Sequence, residues 1–173
     1  TLDVKVQAEL EKAMTSTPEK IVNGSAVVIK VQTGEILAIT SKPTFDPNEF
    51  AAGITPGNWR KLINDEMHPL QNRSIHSQYP PGSTYKIAVA YAALEEGVIN
   101  PETTIYCPGH FKLGRGRYRC WKKNGHGAVN LHDALVQSCD VYFYTVGHRM
   151  GIDTLARYAK KFGFGSPTGV GLS

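Results

Sequence analysis

Residues 83–96 constrain the fold more than any other stretch of this chain. They follow Pro80-Pro81-Gly82, stop at Gly97, and are Ala-rich and apolar on almost every side. Pro and Gly ahead with Gly behind are helix start and stop signals. A helix without a polar face is a buried one, so the spacing predicts a central helix wrapped by the rest of the chain. With 173 residues, such a chain can bury about two-thirds of its unfolded surface. One domain is the natural expectation at this length. Hydrophobic residues at 41% and charged residues at 20% exclude disorder, collagen and a disulfide-dense miniprotein. The longest apolar run, residues 87–94, falls far short of the ~20 residues that span a bilayer. No basic-then-apolar leader follows Thr1. The net charge of +4 reads as a solvated surface. No Arg/Lys stripe with interleaved aromatics supports a nucleic-acid partner.

Other elements are coarser. Leu2, Val6, Leu10 and Ala13 fall on one face of a helix over residues 2–14, ended by Ser16, Thr17 and Pro18. Two β-rich runs, 25–31 and 36–40, flank Thr33-Gly34 and predict a hairpin. Its unpaired edges invite self-association. Residues 41–82 read as loop with one short helix near 58–64. Residues 101–129 hold many Gly and Pro together with Cys107, His110, Cys120, Trp121 and His126. Asn130 caps a helix to about residue 137. Two further helices cover 140–150 and 153–162, the second capped by Asp153 and closed by Gly163. The sum is about five helices and two strands, and a lone hairpin is marginal without partners.

Two clusters carry chemistry. Ser83-Thr84-Tyr85-Lys86 is a Ser-x-x-Lys at a helix start. Positions i and i+3 share a helical face, so Ser83 Oγ and the Lys86 amine can meet. Burial of the lysine would lower its pKa and let it take the serine proton. The helix N-terminus adds donors for a developing oxyanion. By itself the motif is also a common helix cap followed by a surface lysine. The second cluster is Cys107, Cys120, His126 and Cys139, with intervals of twelve, five and twelve residues. Three thiols and an imidazole make a Cys3His zinc set. A Cys107–Cys120 disulfide with Cys139 buried, or three unrelated buried thiols, are the alternatives.

The block Asn72-Arg73 followed by Tyr79-Pro80-Pro81-Gly82-Ser83-Thr84-Tyr85-Lys86 resembles the surroundings of the active-site serine in the penicillin-binding transpeptidases. Thr33-Gly34-Glu35-Ile36-Leu37-Ala38 and Phe45-Asp46-Pro47-Asn48 are similar to the first strand pair of that domain. Arg117-Tyr118-Arg119-Cys120-Trp121-Lys122 and Gly125-His126-Gly127 point within it to class B enzymes of the elongation type, the penicillin-binding protein 2 group. The resemblance runs over the whole chain. It implies an α/β (α+β) penicillin-binding/β-lactamase-like fold, represented here by a mainly helical part plus the first hairpin.

The family carries Ser-x-x-Lys, Ser-x-Asn and Lys-Thr/Ser-Gly. Ser138-Cys139-Asp140 stands where the second motif belongs, with Asp in place of Asn. Ser138 would pass a proton between Lys86 and the leaving amine, and Asp140 would hold Lys86 while favouring its charged form. No Lys-Thr-Gly or Lys-Ser-Gly occurs in the sequence. The resemblance therefore implies that residues 1–173 are the N-terminal part of a transpeptidase domain, expected to be inactive alone. Residues 162–172 resemble the loop leading toward the missing half. Relatives of the elongation type place Cys or Asp, His and Cys around a zinc at positions like 107, 120, 126 and 139, so zinc is favoured over a disulfide. Bound there, zinc would brace the second motif from behind through Cys139, and His110 is the reserve ligand.

The expected activity is peptidoglycan D,D-transpeptidation through a Ser83 acyl-enzyme. Peptidoglycan stem peptides are the substrates, β-lactams the inhibitors and cell-wall elongation proteins the partners. The parent is expected at the bacterial inner membrane with this domain in the periplasm. A serine β-lactamase or penicillin sensor is the runner-up, but no carboxylate motif for a deacylating water is evident. A zinc-stabilised structural or partner-binding module is the reading from another class. Trp121 is read as a cleft, core or surface aromatic. His68, His76, His132 and His148 are read as ordinary residues, and Lys122-Lys123 as a solvated pair.

Overall fold

The computed structural model describes residues 2–15 and 22–170. The expected helix stop at 16–18 and the loop residues 171–172 lie outside them. The described residues form two compact units, one up to Tyr79 and one from Pro80, in place of the single unit expected. Among them are eight α-helices, one 3₁₀ turn and six strands, a mixed α and β fold with more elements than the sequence announced. Among the described residues no helix is long and apolar enough to cross a membrane.

In the first unit, helix α1 (Val4–Ala13) is capped by Asp3, whose carboxylate accepts from the Lys5 and Val6 N–H groups. Strand β1 (Gly24–Ile29) pairs antiparallel with β2 (Ile36–Lys42), Val28 opposite Ala38, as the β-branched run predicts. Helix α1 covers the outer edge of β2. The Gln7 amide donates to Ile39 O (3.0 Å) and accepts from Ile39 N (2.9 Å), and Asp3 N–H donates to Leu37 O. A side-chain amide thus takes the place of a neighbouring strand on the edge that sequence reading leaves open. Helices α2 (Pro47–Ala51), α3 (Pro56–Ile63) and α4 (Arg73–His76) follow. Arg73 is buried, its guanidinium donating to the Met67, His68 and Gln71 carbonyls. This residue of the recognised block holds a loop together.

In the second unit, residues 83–85 belong to a 3₁₀ turn (Gly82–Tyr85), and helix α5 (Lys86–Glu95) begins at the lysine. The α-helix expected from Ser83 therefore starts three residues late. Ala88, Val89, Ala90, Ala92 and Ala93 are buried as expected. Ile87, Tyr91 and Leu94 are exposed, so burial is one-sided rather than all round. Residues 101–129, to which the sequence reading assigns no element, form two nested ribbons. Strand β3 (Ile105–Cys107) pairs with β6 (Gly127–Val129), and inside them β4 (His110–Leu113) pairs with β5 (Gly116–Arg119). Helix α6 (Leu131–Val136) is capped by Asn130 as predicted. Helix α7 (Asp140–Met150) follows it, then α8 (Ile152–Lys161). Gly151 caps α8, not Asp153, which lies one residue inside it. Gly163 closes it with φ +83°, as the sequence predicts. The core joins Val89, Ala90 and Ala93 of α5 to Val141, Tyr142 and Val146 of α7, with Ile105 and Val129 of the outer ribbon.

Candidate active site and metal-ligating cluster

Ser83, Lys86, Ser138 and Asp140 come together in the second unit. The 3₁₀ turn presents Ser83 at the start of α5, and Lys86 extends from the first turn of that helix. Helix α6 ends at Val136. The chain then reverses through Ser138, which holds φ +50°, and enters α7 at Asp140. The reversal closes with Ser138 N–H on Leu135 O and Cys139 N–H on Ala134 O. Glycine is the usual occupant of such a left-handed position after a helix. A serine there stores about 1 kcal/mol of backbone strain and aims its hydroxyl at α5.

The four side chains form one continuous path. Ser138 Oγ lies 2.8 Å from Ser83 Oγ. Lys86 Nζ donates to Ser138 Oγ at 2.9 Å, Ser138 O at 2.8 Å and Asp140 Oδ1 at 2.6 Å. An ammonium has three donors, and all three are used. The face-sharing expected of Ser83 and Lys86 therefore takes an indirect form. The lysine turns toward α7, and its link to Ser83 runs through Ser138. Phe143 lies beneath the ammonium, 5.7 Å from Nζ to the ring centroid. A cleft of about 540 Å³ is lined by Ser83, Lys86, Asp140, Phe143, Tyr144 and His148, among others.

Asp140 is held from a second side that sequence reading missed. Its Oδ2 accepts from the Trp121 backbone N–H at 3.0 Å, and the Trp121 indole N–H donates to Gln137 O at 3.0 Å. The side chain of Trp121 was the visible signal, but the backbone contact has no sequence signature.

Cys107, Cys120, His126 and Cys139 also converge, their ligating atoms all within 4.8 Å of one another. All three cysteines are buried and free, so the Cys107–Cys120 disulfide does not form. His110 is not with them and lies beside Arg117 on the inner ribbon. The outer ribbon sets Cys107 opposite Gly127, and Cys120 N–H donates to Gly109 O. A Cβ on Gly125 would sit 2.0 Å from Cys107 O, and one on Gly109 2.2 Å from Lys123 O, so only glycine lets these segments cross.

The two sulfur–imidazole distances suit a zinc ligand set. His126 Nδ1 lies 3.5 Å from Cys120 Sγ and 3.6 Å from Cys107 Sγ. Zn–S and Zn–N bonds of about 2.3 and 2.05 Å at a tetrahedral angle place S and N roughly 3.6 Å apart. Burial, then the Lys122 charge, holds the His126 imidazole below its ordinary pKa, in the neutral form a metal requires. Its Nε2 is buried without a hydrogen-bond partner. Burial opposes ionisation of Cys107, but backbone N–H bonds from His126 and Gly109 outweigh it and bring the thiol below its ordinary value. Burial and the two neighbouring sulfurs push Cys139 up to about 12. Three thiolates this close repel one another unless a cation sits among them.

The chain is similar to known proteins. A family model described as the penicillin binding protein transpeptidase domain matches residues 24–173, across both units. The peptidoglycan D,D-transpeptidase MrdA of Escherichia coli is 42% identical over the whole chain, which covers 27% of that protein. The penicillin-binding protein PBP2 of Helicobacter pylori superposes with a TM-score of 0.89 at 38% identity, covering 98% of this chain and 31% of that one. A structure of Helicobacter pylori PBP2 in complex with MreC gives a TM-score of 0.83 at 36% identity, over 95% of this chain and 29% of that one. The chain spans about a quarter of the length of the curated relatives it matches.

Proposed function

The chain belongs to the penicillin-binding protein transpeptidase family, and on that premise we propose that it supplies the nucleophile and proton path of a peptidoglycan D,D-transpeptidase of the elongation type. The observation that carries this reading is the unbroken line Ser83–Ser138–Lys86–Asp140.

In this reading Ser83 Oγ attacks the D-Ala-D-Ala carbonyl of a stem peptide. With Lys86 neutral, Ser83 O–H donates to Ser138 Oγ and Ser138 O–H to Lys86 Nζ, so the attacking oxygen gives up its proton as the new bond forms. The path then runs in reverse. Lys86 returns the proton through Ser138 to the departing amine, and D-alanine leaves. An amine of a second stem peptide attacks the acyl-enzyme, regenerates Ser83 and completes the cross-link. Asp140 fixes the lysine, and Trp121 N–H fixes Asp140. Penicillins acylate the same serine. The carboxylate-binding Lys-Thr/Ser-Gly element is absent from this sequence, so efficient turnover belongs to a polypeptide that also carries it. The likeness to a PBP2 solved in complex with MreC supports elongation proteins as partners, and the family resemblance supports the periplasmic face of the inner membrane as the place of action.

Cys107, Cys120, His126 and Cys139 hold a structural zinc in this reading. A closed four-ligand site leaves no open position, so zinc supplies order rather than chemistry. Its grip reaches the catalytic residues by two routes, through Cys139 between Ser138 and Asp140 and through Cys120 beside Trp121.

The test replaces the matching segment of the Escherichia coli relative with this chain. Fluorescent penicillin is expected to label Ser83 stoichiometrically, to miss Ser83→Ala, and to label Lys86→Ala and Ser138→Ala about 10²-fold more slowly or worse. A folded graft without a Ser83 adduct would falsify the reading. Elemental analysis should give near-stoichiometric zinc, lost in Cys139→Ala.

A further inference from the structure

Positive charge is concentrated in one hairpin. Between Glu102 and Asp133 the sequence has six cations, Lys112, Arg115, Arg117, Arg119, Lys122 and Lys123, and no carboxylate. The net charge is +4, so the remainder of the chain carries 4 − 6 = −2. All six side chains are exposed. Among the described residues none of the six forms an ion pair.

Strand pairing sorts these residues into a face. Lys112 stands opposite Arg117 and His110 opposite Arg119. Alternate residues of a strand share a side, so His110, Lys112, Arg117 and Arg119 lie together. Arg117 Nη2 is 3.3 Å from His110 Nδ1, in keeping with that sharing. Phe111 and Tyr118 form the other side and pack on α7. Phe111 meets Tyr144 and His148 at 6.2 and 5.9 Å between centroids, and Tyr118 meets Tyr144 at 6.1 Å. No Arg/Lys stripe is visible in the linear sequence. The register creates one by setting Lys112 beside Arg117.

Like charges directly opposite each other weaken a strand pair. The aromatic side attaches the hairpin to α7, and nothing in the packing calls for the opposite side to be cationic. An anion lying across it would turn the repulsion into attraction. The location is equally specific. Arg119 runs into Cys120 and Trp121, whose N–H holds Asp140. Tyr144 and His148, on which the hairpin rests, line the cleft that contains Ser83 and Lys86.

We propose that the β4–β5 ribbon is a docking surface for an extended, carboxylate-bearing peptide. Resting on the functional reading above, that peptide is part of a stem peptide of the polymer that reacts at Ser83. Arginine dominates the ribbon, and its planar fork matches a carboxylate in two parallel hydrogen bonds. Cations two residues apart on a strand are about 6.6 Å apart, the spacing of alternate side chains in an extended peptide. The tip, Gly114-Arg115-Gly116, offers no apolar wedge for a lipid surface.

The full chain is titrated with a labelled (Glu-Ser)₄ peptide and with its (Gln-Ser)₄ counterpart, by fluorescence anisotropy at low and physiological salt. The acidic peptide is expected to bind, more weakly as salt rises, and the neutral one to fail. Arg117→Gln/Arg119→Gln should weaken binding roughly tenfold, a value discounted for solvent exposure. Lys160→Gln/Lys161→Gln, an equal loss of charge on α8, should not weaken it. Equal binding by the ribbon variant and wild type, or by the acidic and neutral peptides, overturns the proposal. So does capture by vesicles containing phosphatidylglycerol without peptide binding. Lys112→Gln is a second, milder variant held to the same criterion. Failure of wild-type Ser83 to take penicillin in the graft would count against the transpeptidase reading and leave the ribbon result standing.

Discussion

At the scale of single residues, Ser138 carries the most information. It stands at a left-handed position that glycine fills more easily, and its hydroxyl bridges Ser83 Oγ and Lys86 Nζ. Stability and function pull in opposite directions there. Ser138→Gly relieves the backbone while removing the hydroxyl, and Ser138→Ala removes the hydroxyl alone. The glycine variant is expected to be about 1 kcal/mol more stable than the alanine variant, with penicillin labelling slow in both. Urea melts of the pair measure the first quantity, and equal stabilities would remove the strain from the account. The sequence made Ser83 and Lys86 legible because i and i+3 spacing is a helical fact. The hold of Asp140 on Lys86 came from the family resemblance rather than from spacing, and the spacing did not show that Ser138 bridges Ser83 and Lys86. Long-range hydrogen bonds of this kind have no local sequence signature.

Among the elements, residues 101–129 were the least legible. Glycine and proline density there hid the strands, yet His110-Phe111-Lys112-Leu113 and Gly116-Arg117-Tyr118-Arg119 alternate as strands do. The glycines are crossings rather than breaks. Gly125→Ala is expected to push residues 107 and 125 apart, reducing zinc in the purified chain well below one equivalent by elemental analysis. Full zinc occupancy in that variant would show that the crossing is not required. Helix α8 offers a second test. Tyr158 O–H donates to Glu96 at 2.6 Å, and Arg157 Nη2 lies 3.1 Å from the other carboxylate oxygen. The hydrogen bond to Glu96 pushes Tyr158 up to about 12, and the same bond followed by that from Arg157 holds Glu96 below the ordinary 4.5. A raised tyrosine contributes fully below pH 10 and loses its contribution as pH rises through 12. A lowered carboxyl contributes above 4.5 and loses its contribution as pH falls through its depressed value. The α5–α8 clasp is thus firmest between those limits. Burial also raises Tyr142 and Tyr144, so the test at 295 nm is the difference from wild type: one late-ionising tyrosine removed by Tyr158→Phe and moved toward 10 by Glu96→Gln. An unchanged titration curve in both variants would rule the clasp out.

For the molecule as a whole, one family model runs across two compact units, and only the second holds the candidate active site and the ligand cluster. Composition and length argued for one unit because they report the amount of core, not its partition. Most of the buried apolar side chains lie beyond Pro80, whereas among the described residues of the first unit the apolar Ala38 and Pro69 are buried. A structural zinc should therefore govern the second unit and leave the first unchanged. The two tryptophans separate them, Trp59 in α3 and Trp121 stacked edge-on to His126 at 5.3 Å. In Trp59→Phe, chelation by a high-affinity zinc chelator should alter Trp121 emission and lower the midpoint of its thermal transition. Even ~2 kcal/mol of lost metal binding corresponds to a shift of about 8–16 °C for a unit of this size. In Trp121→Phe, the Trp59 transition should not respond to the chelator. A chelator-sensitive Trp59 transition, or a Trp121 transition that ignores metal, would mean that the cysteine cluster does not hold the second unit together in the way its geometry implies.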